Sequence, residues 1–265
     1  MSLENVEDAF AVSPMQSGML YDSLSTPDSD TYVTYVTFDI VGNVDSDILK
    51  KAWESVFARH KALRAEFHWD GLDQPLQVIV KDVLLSWQVL DWSEATGDQY
   101  SSLWNDLLKV ERQTKIDLSS APLARFTLVR RSSDNYALLW SVHHLLADGT
   151  STTVILGEVL NQYKRLKSLE AVPDLADAPA YQYSEHIQWL SRQDKRAAFD
   201  YWRGYLEDAK PSPVKLRRKK HQTEERHCSI NLGGHCCVAL TQKGTTISRS
   251  RALHWPHLHS LYPNF

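Results

Sequence analysis

Apolar residues recur along the chain with two periods, about 3.6 and 2, the signatures of helices and strands. Ile48, Leu49, Ala52, Trp53, Val56 and Phe57 recur at steps of three and four. This predicts an amphipathic helix opened by Asp45 or Ser46 and closed by the cations Arg59, His60 and Lys61. The β-forming run Tyr32, Val33, Thr34, Tyr35, Val36 predicts a strand over 31–41. Shorter strands are predicted over 62–69, 76–81, 84–90 and 122–131, and a helix over 98–114. After a turn at 132–135 comes a run of strand formers over 136–143, completing a hairpin. Val154, Ile155, Val159, Leu160 and Tyr163 then mark a helix over 152–167, with Thr150 or Ser151 as its cap. Ser13, followed by Pro14, opens a short helix near the start. A linker with Pro173 and Pro179 leads to one more helix, from about 181 through Leu206, on whose face His186 stands. Helices alternating with hairpin strands predict an α/β layered domain with a mixed sheet. Arg64 is out of place in its strand: it is a surface arginine on an edge, or a buried one that requires a carboxylate.

Composition divides the chain. Its 265 residues carry 43% hydrophobic and 23% charged side chains, a globular composition. From Lys215 onward nine Lys/Arg face two Asp/Glu, whereas the preceding 214 residues hold 20 and 31. A shift this sharp marks a boundary, and 215–265 has no clear period, so an irregular or disordered tail is expected there. The tail's three cysteines make no disulfide framework. Its His254, His257 and His259 lack paired zinc-ligand spacing, and its basic run lacks the interleaved aromatics of a single-strand nucleic-acid site. No apolar run approaches the ~20 residues of a membrane helix. The acidic start, Met1 to Asp8, lacks the pattern of a signal peptide. A cytoplasmic protein that binds neither membrane nor nucleic acid is the expectation.

Candidate chemistry concentrates at Ser141-Val142-His143-His144-Leu145-Leu146-Ala147-Asp148-Gly149. A strand delivers two histidines to a loop that turns into a helix, so they are rigidly held and open on one side. Histidine is suited to moving protons near neutral pH. Neighbours on a strand point to opposite faces, so only one of His143 and His144 faces a given cavity. Asp148 can orient the imidazole or hold the loop by pairing with a cation. A metal site on His143, His144 and Asp148 is disfavoured by that divergence. Two satisfied histidines beside an ordinary Asp-Gly turn is the plainer alternative.

Several stretches, in order, resemble the condensation domains of nonribosomal peptide synthetases, chloramphenicol-acetyltransferase-like acyltransferases. Ser13-Pro14-Met15-Gln16-Ser17-Gly18-Met19-Leu20 is similar to the family's opening motif, and the stretch from Arg59 to Phe67 to its second. His143-His144-Leu145-Leu146-Ala147-Asp148-Gly149 matches the active-site motif of two histidines, three residues, Asp and Gly. Tyr183 to Trp189 is similar to the next motif, and Tyr201 to Leu206 to the helix after it.

The resemblance implies an α/β lobe of chloramphenicol-acetyltransferase type, a mixed sheet flanked by helices. It also implies amide formation in secondary-metabolite biosynthesis, between aminoacyl or peptidyl groups on the phosphopantetheine arms of donor and acceptor peptidyl carrier proteins. No cofactor or metal is bound directly. His144 is then the base or charge stabiliser at the acceptor amine, and His143 packs behind it. Asp148 forms a structural ion pair with Arg64, and Gly149 allows close approach of backbone and substrate. The resemblance covers about 5–210. It assigns 1–170 to the N-terminal lobe and 171–214 to the linker and helix that lead to a second lobe, leaving 215–265 as tail. The chain therefore reads as a truncated domain, weak or inactive alone. A CoA-dependent acyltransferase of the same superfamily and a non-catalytic carrier-binding remnant are the alternatives. An epimerisation domain shares the two histidines but differs in its opening motif.

Overall fold

The computed structural model describes residues 3–167, 182–209, 226–231 and 237–242. In chain order the elements are β1 (Val6–Ala11), α1 (Pro14–Ser25), β2 (Val33–Val41), α2 (Ser46–Arg59), β3 (Ala65–His68), β4 (Leu76–Val80), β5 (Ser86–Asp91) and α3 (Gly97–Gln113). Then follow β6 (Ala124–Arg130), β7 (Asn135–His143), α4 (Gly149–Leu166), α5 (Tyr183–Ser191), α6 (Lys195–Tyr205), β8 (Arg226–Asn231) and β9 (Cys237–Gln242). None of the described helices is long and apolar enough to cross a membrane.

Six strands form a mixed sheet in the order β5-β6-β7-β2-β9-β8. β5 and β6 run parallel, and the other neighbours are antiparallel. β2 lies along β7 from Val33 opposite His143 to Val41 opposite Asn135. A smaller antiparallel sheet has the order β1-β4-β3.

The core explains why β7 reads as an unbroken apolar run. Leu138, Trp140 and Val142 face one side, packed with Trp53 and Phe57 of α2 and Ile155 and Val159 of α4. Ala137 and Leu139 face the other, with Trp104 of α3 and Tyr35 of β2. A strand covered on both faces has no solvent side to alternate with. Trp53 is wholly buried, with its ring 4.5 Å from Phe126 and 4.9 Å from Trp140. The indole N–H groups of Trp53, Trp87 and Trp140 have no hydrogen-bond partner among the described residues, so this cluster depends on ring packing.

Four sequence expectations change in detail. Asp148, rather than Thr150 or Ser151, caps α4, which begins at Gly149. The predicted strand 62–69 begins as a 3-10 turn, Lys61–Arg64, before β3. The helix expected to run through Leu206 is two, because Asp194 caps a new one by accepting from the backbone of Arg196 and Ala197. Within the stretch expected to be irregular, β8 and β9 are strands. β9 pairs with β2 from Val36 to Val41, giving the outer backbone groups of β2 their partners. The proline-bearing linker and the histidines after 250 lie outside the described residues.

Trp53→Ala is expected to cost about 3–5 kcal/mol of stability. Urea denaturation of both chains measures this as a fall in midpoint at constant slope.

Candidate functional site

β7 delivers its last residue, His143, to the end of the sheet; His144 is the first residue of the turn that follows, and the two line different cavities. His143 is on the α3 side and only 4% exposed. Its Nδ1 accepts the backbone N–H of Leu145 at 3.2 Å. That bond places the proton of the neutral ring on Nε2, which donates to Ser23 Oγ at 3.4 Å. Ser23 in turn donates to the carbonyl of Met19 at 2.8 Å. Burial, with His144 adding to it, pushes the His143 imidazole down from its ordinary 6.5 to about 4. His143 is therefore a neutral, packed histidine, lining a cavity of about 590 Å³ beside Ser23, Tyr32, Trp69 and Arg112.

His144 anchors only its backbone, donating to the carbonyl of Tyr32 at 2.7 Å. Its side chain lines a cleft of about 510 Å³ with Ser13, Gln16, Lys61, Gln77, Asp148 and Tyr183. Its ring has no hydrogen-bond partner among the described residues, in contrast to His143 on both of its nitrogens.

The loop after His144 is held from two directions. Asp148 Oδ1 accepts the Ser151 backbone N–H at 2.8 Å and the Ser151 hydroxyl at 2.7 Å, which holds the carboxyl below its usual range. On the other side Gln16 Nε2 donates to the Leu145 carbonyl at 3.2 Å. A Cβ at Gly149 meets open space within the protein, so no internal contact demands glycine there.

Arg64 is buried, at 5% exposure, so the edge reading is excluded. The Arg64–Asp148 ion pair expected from sequence does not form. Nη1 of Arg64 bonds Glu7 Oε2 of β1 at 2.7 Å, and its guanidinium also donates to the carbonyls of Phe57, Ala58, Val80 and Lys81. Glu7 pairs with Lys61 as well, at 2.9 Å. The Lys61 hydrogen bond, with Arg64 adding to it and partial burial opposing, holds the Glu7 carboxyl below its usual range. The 3-10 turn 61–64 points Arg64 at the β1–β4 sheet, while Asp148 is exposed and committed to its cap.

The family profile of the Condensation domain matches residues 6–246. The chain belongs to the condensation-domain family. The match passes the 210 reached by the sequence motifs and takes in β8 and β9. The chain is 36% identical over 203 residues to one of the linear gramicidin synthase polypeptides of Brevibacillus parabrevis, covering 76% of this chain and 4% of that protein. It is 31% identical over 224 residues to bacitracin synthase 3 of Bacillus licheniformis, covering 83% and 4%. In fold it is similar to a starter condensation domain of rhizomide synthetase, with TM-score 0.70 and 19% identity, covering 85% of this chain and 54% of that one. The first condensation domain of the calcium-dependent antibiotic synthetase gives TM-score 0.65 and 20% identity, covering 85% and 54%. The chain thus spans about 4% of the length of these two synthases and about half of these solved condensation domains.

The structure brings His143, His144, Asp148 and Gly149 together at one loop and sets Arg64 apart from it. Sequence reasoning missed Glu7, Gln16 and Gln77. Gln16 had a signal: it stands three residues after Ser13, the spacing of a capping box. Glu7 had none, because β1 is short, acidic and only partly buried.

Double-mutant cycles test the pairing: Arg64 with Glu7 is expected to couple by about 1 kcal/mol or more, and Arg64 with Asp148 by less than about 0.5 kcal/mol. A second expectation concerns pH. The unfolded chain protonates His143 near 6.5 and the folded chain only near 4, so stability is lost as pH falls between those values. The slope there is at most about 1.4 kcal/mol per pH unit. Denaturation midpoints of His143→Asn against pH should be flatter over that window.

Proposed function

We propose that this chain carries the reacting histidine of an amide-forming condensation domain, and that His144 is that residue. The single observation behind this is the division between the two histidines: His143 is buried and bonded on both nitrogens, whereas His144 lines the open cleft with its ring unpartnered among the described residues. The substrates are thioesters on phosphopantetheine arms of donor and acceptor carrier proteins. The acceptor α-amine attacks the donor carbonyl, a C–N bond forms, the C–S bond breaks, and the thiol leaves on its arm. His144 takes the amine proton or stabilises the charge of the tetrahedral intermediate. His143 sets the strand end behind it, and Asp148 and Gly149 start α4 and hold the loop.

A partner lobe covers the cleft in this proposal. α5 and α6 present Trp189, Phe199, Tyr201, Trp202 and Tyr205 at 55–70% exposure. A group of exposed aromatics on adjacent helices marks a surface that associates. Closing the cleft excludes water and orients the two arms, which accounts for much of the rate of such a reaction.

The experiment is amide formation between two loaded carrier proteins by this chain supplemented with the second half of a related condensation domain. Dipeptidyl product detected by mass spectrometry, and lost by about a hundredfold or more in His144→Ala, is the expected result. Turnover that His144→Ala leaves unchanged sinks the assignment.

A further inference from the structure

Helix α1 packs across the loop that follows the two histidines, and one buried side chain joins them. Gln16 is 7% exposed and Gln77 of β4 is 1% exposed. The two amides face each other in a reciprocal pair. Gln77 Nε2 donates to Gln16 Oε1 at 3.1 Å, and Gln16 Nε2 donates to Gln77 Oε1 at 3.4 Å. Gln16 Oε1 also accepts the backbone N–H of Ser13 at 3.0 Å, the return arm of the capping box. Gln16 Nε2 sends its other proton to the carbonyl of Leu145 at 3.2 Å, across 129 residues of sequence. Gln77 Nε2 completes the set by donating to the carbonyl of Ala11 at 3.4 Å. Both protons and both acceptor directions of the Gln16 amide are in use, so its orientation is determined and it has no donor left for a substrate.

The Leu145 carbonyl belongs to the residue directly after His144. The other ties there are His144 N–H to the Tyr32 carbonyl, Leu145 N–H to His143 Nδ1, Leu146 N–H to the His143 carbonyl, and the Asp148 cap further on; the bond from Gln16 is the side-chain tie from α1. The His144 ring has no hydrogen-bond partner among the described residues, so the position of the ring follows the position of this backbone.

We propose that Gln16 is a positioning residue for His144: by bonding the Leu145 carbonyl while paired with Gln77, it holds the loop so that the His144 ring lies in the cleft. This rests on the reading of His144 as the reacting histidine for its consequence in catalysis, and on geometry alone for its consequence in the loop.

The experiment has two readouts. Backbone amide exchange and the His144 ring signals, followed by NMR in the intact chain, report on the loop without any turnover. In Gln16→Met the amides of 144–147 should exchange about tenfold faster or more, with the His144 ring signals shifted and the β7 amides as protected as before. Gln16→Glu keeps the shape and the bond to Ser13 N–H but turns an oxygen toward the Leu145 carbonyl; it should loosen the loop likewise and serves if Gln16→Met does not fold. Gln77→Met removes the partner amide and leaves the Leu145 bond, so its loop should stay within about threefold of the parent. Loop exchange and ring signals unchanged in both Gln16 variants overturn the proposal. So does an equal loosening in Gln77→Met, which would make the effect one of core packing. In the carrier-protein assay Gln16→Glu should lower kcat by up to about a hundredfold with KM for either carrier unchanged. A loosened loop together with amide formation that His144→Ala leaves unchanged would retain the positioning role and reject the reading of His144.

Discussion

β7 lies between β2 and β6 and is packed on both faces, and this burial governs what each histidine can do. A strand with no solvent side must continue its alternation to the last residue. The position that falls on the α3 face is therefore enclosed, and the next one opens to the cleft. Enclosure removes the charge from His143: an imidazole at 4% exposure beside a second histidine stays neutral well below its ordinary range. The neutral ring then acts as a structural acceptor and donor, tying the loop to β7 and β7 to α1 through Ser23. His144 is left to the cleft, its ring without a hydrogen-bond partner among the described residues.

Around that strand end the charged and amide groups form separate systems with separate tasks. Arg64 satisfies four backbone carbonyls and Glu7 where the 3-10 turn meets the smaller sheet. A buried guanidinium without such acceptors would cost several kcal/mol, so the arginine is a joint between α2 and the β1–β4 pair. Asp148 works at the opposite end of the motif, where an ionised side chain suits the N-terminus of α4. Its exposure leaves it with little desolvation to recover and no need of a buried cation. The two residues share a motif-based expectation but not a place.

Membership of the condensation-domain family and the division between the histidines bear on function in different ways. The family supplies the fold. The local geometry supplies the difference between the two histidines on which the proposed chemistry rests: one is buried and bonded, the other lines the cleft. The amide pair of Gln16 and Gln77 adds a third layer, in which a helix cap near the start of the chain also braces the loop.

The sequence by itself determined the elements whose cause is local. The apolar period of Leu49, Trp53, Val56 and Phe57 marked α2, the β-branched and aromatic runs marked β2 and β7, and Ser13 with Pro14 marked the start of α1. That His143 and His144 line different cavities was also legible, because neighbouring side chains at a strand end diverge. Periodicity left open which of them is buried; the resemblance implied that His143 packs behind the site, and the structure buries it on the face that α3 covers. It also decided that Arg64 meets Glu7, that Gln16 reaches Leu145, and that β9 completes the edge of β2. Each of these joins residues far apart in the chain, and a weakly patterned segment such as β1 becomes a strand only when β4 offers it backbone partners. Periodicity records what a residue's neighbours in sequence require, whereas these pairings exist only once the chain has closed on itself.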